Sequence, residues 1–242
     1  SGCTAASGCT RMIAGTNRVW ESINGATSWI ANSPVLPKGV LGVRSFVTQL
    51  AYAISNPAFA IAGTSDGNVW MGRNMGSGAA NAVWVNVTAS NAVLPNRPIM
   101  DVVTDPLNPL IAYASIGGFD QNSAATPGHV FRLECQADCA TFAWTNKSGN
   151  LPNIPANSIA TNPLLPSQVF VGTDWGLYFT NDINVPTPVW QRHEGLPHVM
   201  VWDMAIDRGF TTLAVFTRSR GAWAWPLPTV LPEPAIFENG FE

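Results

Sequence analysis

Charge is scarce in this sequence. Asp, Glu, Lys and Arg make up 11% of the 242 residues, against roughly 25% in an average soluble domain. Only two lysines occur, Lys38 and Lys147, and the net charge is −3, which excludes a protein that binds nucleic acid by bulk positive charge. Proline, glycine or polar residues break every apolar run before it reaches the ~18 residues of a membrane-spanning helix. Helical periodicity is nowhere sustained. A phosphate-binding loop, a dinucleotide fingerprint and a serine nucleophile elbow are all missing. There is also no Cys-x-x-Cys pair, which weakens the case for a structural zinc site. What the chain has instead is 46% hydrophobic residues, ten tryptophans, 21 glycines and 19 prolines. It is too apolar for disorder and long enough to build a core without staples.

The four cysteines form two close pairs, Cys3 with Cys9 and Cys135 with Cys139. In a chain poor in lysine and rich in Asn, Ser, Thr and Gly, that spacing favours two local disulfides and an oxidising compartment. The alternative is a single metal site built from all four. A start at Ser1 without Met fits a secreted protein after removal of a leader, and equally a trimmed chain.

Repeats organise the rest. Apolar segments opening at Phe46, Ile99, Ser158 and Val199 each end in Asn-Pro, Asp-Pro or Asp-Arg-Gly, which is turn chemistry. A second strand follows, ending in Gly-Thr at 63–64 and 172–173, with variants at 111–115 and 213–217. A third carries an aromatic: Trp70, Phe131, Tyr178 or Trp223. A fourth is marked by Trp84, Trp144 or Trp190. The N-terminal residues join late, with Gly15-Thr16, Trp20 and Trp29 matching strands two, three and four. A four-strand unit recurring every ~40–50 residues is the pattern of a β-propeller. The expectation is all-β, with five antiparallel blades of 3, 4, 4, 4 and 3 strands. Either the two incomplete ends close a ring, or the chain is part of a larger propeller. The expected partition is 1–11 as an N-terminal segment with Cys3 and Cys9, 12–228 as the propeller, and 229–242 as a tail.

The hairpin Ser22-Ile-Asn24-Gly25-Ala-Thr27-Ser-Trp29 resembles the Asp-box, with Asn24 in place of the aspartate and the glycine one place early. Thr180-Asn-Asp182 before Trp190 is a longer version, and Arg73-Asn74 before Trp84 is more degenerate. The Cys135–Cys139 loop stands where the remaining box belongs. Gly15-Thr-Asn-Arg-Val-Trp20 and Thr217-Arg-Ser-Arg-Gly-Ala-Trp223 are also similar to sialidase-type (BNR-repeat) propellers. The resemblance covers about residues 11 to 227 and implies the fold far more than any activity. The tail Pro232–Glu242 resembles an Ile-Phe-x-x-Gly-Phe-Glu ending of secreted bacterial proteins, which implies a sorting or surface-attachment signal; a disordered acidic tail is the alternative.

Strand alternation puts the loops from strand two to three and from strand four to the next strand one on one face, with the Asp-boxes opposite. That loop face receives seven of the twelve basic residues, Lys38, Arg44, Arg97, Lys147, Arg192, Arg218 and Arg220. Of the fifteen acidic residues it receives Asp66, Asp120, Asp174 and Glu194, and it also receives His129, His193 and His198. A basic face carrying aromatics suits an acidic or hydroxyl-rich ligand. Trp175, in the turn Thr173–Gly176, is the clearest candidate to stack on a sugar or pack a protein. Arg44, Asp120, His193, Glu194, His198, Arg218 and Arg220 are candidate ligand contacts around it. The other nine tryptophans recur at blade positions and are expected to pack between blades.

Glycoside hydrolysis needs two carboxyl groups, and Asp66 and Asp174, at equivalent turns of different blades, are the candidate pair. A sialidase is disfavoured. Its Arg-Ile-Pro motif is missing, and Tyr52, Tyr113 and Tyr178 fall in expected strands. His193-Glu194 to His198 is one residue too long for the helical zinc motif, and Gly195 and Pro197 break any helix there. Calcium held by loop carboxylates is compatible with the composition but has no loop signature; no other cofactor is implied. Asp101, Asp203 and Asp207 fall on inner-strand segments, where they either line the axis or satisfy backbone groups. The reading is a secreted binding or structural module for a glycan or protein ligand, without nucleic acid or membrane span. Self-assembly, or missing blades on another chain, is compatible with it. The alternative is a glycoside hydrolase resembling the xyloglucan-degrading propellers.

Overall fold

Segments that alternate between two packed faces read as short apolar runs, and here each such run is a strand. The computed structural model describes residues 3–4, 8–39, 44–78 and 81–231. A small hairpin comes first, β1 (Cys3–Thr4) with β2 (Gly8–Cys9). Five antiparallel sheets then follow in chain order. The first is β3 (Met12–Gly15), β4 (Val19–Ser22) and β5 (Ile30–Ala31). The second is β6 (Val47–Tyr52), β7 (Phe59–Thr64), β8 (Val69–Arg73) and β9 (Val83–Asn86). The third is β10 (Ile99–Thr104), β11 (Ile111–Ile116), β12 (Val130–Cys135) and β13 (Phe142–Asn146). The fourth is β14 (Ala156–Thr161), β15 (Val169–Thr173), β16 (Gly176–Thr180) and β17 (Gln191–Arg192). The fifth is β18 (Val201–Ile206), β19 (Thr212–Thr217) and β20 (Ala222–Pro226). Each sheet is a meander, and β6, β10, β14 and β18 lie side by side in sequence. This is the β-propeller with the expected strand count. Among the described residues the first sheet has no innermost strand and the fifth no outermost one.

Two features drive the sheets together. The first is glycine at one repeated register. Gly15, Gly63 and Gly172 sit where the next sheet's inner strand arrives, and a Cβ there would lie 2.9 Å from Val47, 2.5 Å from Ile99 and 2.4 Å from Val201. The Gly-Thr repeat therefore exists because two backbones approach too closely for a side chain. In the third sheet the same register holds Ser115, facing a strand that opens with the small Ala156. In the fifth it holds Phe216.

The second feature is the strand-four tryptophan. Trp84 donates its indole N–H to Asn32 Oδ1 (3.0 Å), Trp144 to the Val87 carbonyl (2.6 Å) and Trp190 to the Lys147 carbonyl (2.9 Å). Each acceptor directly follows the last strand of the preceding sheet, so the ring buries its surface and its one polar group together. Trp29 holds this register in the first sheet, which has no sheet before it, and is 38% exposed. Trp202 (56%) and Trp223 (37%) on the fifth sheet are exposed as well. Uniform packing of the blade tryptophans is thus corrected: among the described residues no sheet covers Trp29 or Trp202, and Trp223 lies on the packed side of the fifth sheet, stacked on Trp225, but stays partly open.

A buried network joins the first two sheets. The Glu21 carboxylate accepts from Arg11 (3.2 Å), Asn32 (2.6 Å), the Tyr52 hydroxyl (2.6 Å) and the Gly76 N–H (3.0 Å). Burial and the Glu21 carboxylate push the Tyr52 hydroxyl pKa well up. The first Asp-box-like hairpin is closed by Asn24, whose Oδ1 accepts from Ser22 Oγ and the Ser28 N–H, both at 3.0 Å. Cys135 and Cys139 are disulfide-bonded, their Cα atoms 4.7 Å apart. Cys9 is disulfide-bonded and stands opposite Cys3 in the β1–β2 register; the Cys3 side chain lies outside the described residues. So does the tail from 232 onward.

Candidate functional site

The loop face is held together by bonds between the two kinds of loop that alternation assigns to it. The Gly39 N–H donates to Asp66 Oδ2 (3.1 Å), Asn91 Nδ2 to the Gly67 carbonyl (3.3 Å), the Asp120 N–H to Asn153 Oδ1 (2.9 Å) and the Asp174 N–H to the Pro155 carbonyl (3.3 Å). The face is therefore one connected surface. Lys38 is fixed on it by Asn91 and Asn96, each at 2.7 Å.

Trp175 stands out from this surface. The turn is shaped by its N–H donating to Thr173 Oγ1 (3.1 Å) and by Gly176 at φ +121°, a conformation that favours glycine. The indole is 55% exposed and rests on the His198 ring, with centroids 4.8 Å apart. A wide aromatic face held by one neighbour and open on its other side can stack on a flat apolar surface.

The remaining candidates divide. Arg44, Arg218 and Arg220 are exposed, and the Arg218 N–H donates to the Met200 carbonyl, which holds that loop beside β18. Glu194 is exposed and pairs with Arg192 at 3.0 Å. His193 turns inward onto Trp225 (4.6 Å between centroids), and burial pulls its pKa down. Asp66 is buried, its oxygens accepting from Thr64 Oγ1 (2.7 Å) and the Gly39 N–H. Asp174 accepts from Asn157 Nδ2 at 2.9 Å. Asp66 follows β7 and Asp174 follows β15, so the third sheet lies between them in the blade order. Asp120 accepts from the Gly128 N–H (2.7 Å) and Arg97 (3.3 Å) and lies 3.5 Å from His129 Nε2. His129 is buried, and desolvation together with the Arg97 charge lowers its pKa. Among the described residues no three His, Cys, Asp or Glu side chains gather as metal ligands.

Sequence reasoning reached the axis through Asp101 and Asp203 but missed the other residues of its mouth. A cavity of about 550 Å3 opens there, lined by Phe46, Gln49, Met100, Asp101, Trp202 and Asp203. A second, of about 250 Å3, shares Gln49, Asp101 and Asp203 and continues along the inner strands past Leu50, Met204 and Phe210. Asp101 and Asp203 thus do line the axis, whereas Asp207 closes the turn 207–212 through backbone N–H bonds of 2.6–2.9 Å. Asp101 accepts from the Val102 N–H (2.7 Å) and, across the blade boundary, from the Ile159 N–H (2.9 Å). Burial pushes its pKa up to about 7, with the Asp203 charge adding to the shift. The signal that could have found Phe46 and Trp202 is their place beside the bulged start of an inner strand, a feature with no local motif.

No protein-family model matches the sequence, and no curated protein matches it. Among solved structures the chain is similar to Sqt1 from Chaetomium thermophilum, with a TM-score of 0.64, 11% identity, and coverage of 96% of this chain and 56% of that one. It is also similar to the Cps50 (Swd1) β-propeller domain of Myceliophteria thermophila, with a TM-score of 0.55, 9% identity, and coverage of 87% and 59%. The chain therefore spans just over half the length of these propellers. At such identities the likeness shows the fold alone.

Proposed function

We propose that the chain is a secreted, non-catalytic binding module whose loop face takes a glycan or protein ligand. The observation that carries this reading is the open indole of Trp175, backed by His198 on a surface that the interlocked loops hold rigid. A rigid aromatic platform binds with little loss of conformational freedom. Support for an extracellular setting comes from the disulfides in a lysine-poor chain and from hairpins similar to Asp-boxes. The Asp-box kinship itself belongs to this proposal, as does a role within a larger surface assembly.

The test is a glycan array and titration of its hits, followed by Trp fluorescence. Saturable binding without release of reducing sugar, weakened at least tenfold in Trp175→Ala, is expected. Polysaccharide turnover that is lost in Asp66→Asn or Asp174→Asn would overturn it and establish the hydrolase.

A further inference from the structure

Among the described residues four sheets contribute an innermost strand to the axis and the first does not, so β3 has no described strand beside it where β6, β10, β14 and β18 stand in the others. The inner strands are linked in series. Each has a register shift near its start, at Val47/Gln49, Ile99/Asp101, Ala156/Ser158 and Val201/Asp203. From this bulge each reaches the next strand: Thr48 Oγ1 to the Ile99 carbonyl (2.6 Å), Asp101 Oδ2 from the Ile159 N–H (2.9 Å), and Asn157 Nδ2 to the Val201 carbonyl (3.2 Å). The series stops at β18. Asp203 holds the register of Asp101 and accepts the N–H of its own neighbour, Met204, at 2.8 Å. Its outward oxygen has no such strand to meet.

The sheet face beside it is uncovered too. Phe216 is 42% exposed, and Trp202, Ala205, Ala222 and Ala224 are exposed around it. By contrast β14, one blade earlier, is buried throughout. The first and fifth sheets nevertheless adjoin at the hairpin-turn side, where Arg208 Nη2 reaches Cys9 Sγ at 3.2 Å and the Gly25 N–H donates to the Thr10 carbonyl.

We propose that this seam accepts one β-strand donated by a second protein, completing the first sheet as its innermost strand. The inference rests on the reading of the chain as a binding module and names the partner class: an extended segment recognised by strand addition. Its polarity is fixed, antiparallel to β3 and so running from the loop face toward the hairpin face. Its length is about six residues, as in β6, β10, β14 and β18. A free N–H is needed where Ile159 stands in β14, to meet Asp203. The opening residue is small, because the glycine register that admits Val47, Ile99 and Val201 is filled here by Phe216. Acidic side chains are excluded by Asp101 and Asp203.

The chain's own tail does not qualify. It leaves from the hairpin face, where the Leu227 N–H donates to the Thr211 carbonyl and Asn162 donates to the Pro228 carbonyl. A strand that runs from the loop face to the hairpin face would have to begin at the rim opposite that exit. Residues 232–242 also carry Glu233, Glu238 and Glu242 with no basic residue, which Asp101 and Asp203 disfavour whether the tail comes from the same chain or from a second copy.

The probe is a synthetic peptide of residues 46–54 with glycine in place of Val47 and two lysines added after Ile54 for solubility. Calorimetry with the full chain should show saturable one-to-one binding, with slowed hydrogen exchange over residues 12–15. N-methylation at the Leu50 nitrogen, and separately Asp203→Ala, should each weaken binding at least tenfold. The unmodified Val47 peptide should bind more weakly than the glycine version, and Phe216→Gly should reverse that order. Absence of binding overturns the proposal, as does binding indifferent to N-methylation. So does a full chain that sediments as a dimer or larger with its 12–15 amides already protected. Trp175→Ala should leave peptide binding unchanged. Failure of the unaltered chain to bind glycan therefore counts against the loop-face reading alone, and its failure to bind the peptide counts against this proposal alone.

Discussion

The third sheet and the fifth share three strands in the same order, yet the third is packed on both faces and the fifth on one. Asp101 and Asp203 sit at the same register, each after a bulge. The first is buried and bridges to the next sheet; the second is exposed. Tyr113, on the face of the third sheet that meets the fourth, and Phe131, on the face that meets the second, are both fully buried, whereas Phe216 is 42% exposed. In this fold a residue's environment is set less by its own strand than by whether another sheet follows. Apolar patterning builds a blade, and succession buries it.

Phe131→Ala should destabilise the chain by about 3–5 kcal/mol in urea or guanidinium unfolding, and Phe216→Ala by less than about 1 kcal/mol. Equal losses would show that the fifth sheet is covered in solution and would break the contrast. The two aspartates should separate by pH. Because the folded state holds the Asp101 pKa at about 7, above the usual ~3.9 of an unfolded chain, its stabilising share is complete below pH ~4 and is lost as pH rises through 7. Asp101→Asn should therefore flatten that part of the Tm-against-pH curve, and Asp203→Asn, which removes only the smaller charge contribution, should move it toward lower pH without flattening it. Trp190→Phe removes a buried indole bond and should cost about 1–2 kcal/mol. Trp29→Phe, at the same register without a sheet before it, should fall within about 0.5 kcal/mol. Comparable costs would mean that Trp29 has an unseen partner.

Much of the architecture was legible because it repeats. Tryptophan at strand four and Gly-Thr at strand two recur for steric reasons, so their spacing reports the blades, and the 3, 4, 4, 4, 3 count follows from where the repeat begins and stops. Burial was less legible. Trp29 looks like Trp84, Trp144 and Trp190 in sequence, because the difference lies in a neighbouring sheet and not in the strand itself. The Glu21 network was invisible for a related reason: Arg11, Glu21, Asn32, Tyr52 and Gly76 belong to separate repeats and share no spacing. Of the candidate site, the turn geometry placed Trp175 on the surface, but nothing near it in sequence announces His198 as its support. The axial mouth combines residues 46, 101 and 203, which only ring closure brings together.

The contact between Arg208 and Cys9 gives the seam a mechanical character. It ties the two ends of the ring at one rim, and at the other rim no equivalent clasp exists among the described residues. Two plates stitched along one border part as a wedge, with the stitch as pivot and the widest opening at the far border. Any widening of this ring is therefore greatest at the loop face and least beside the cysteine hairpin.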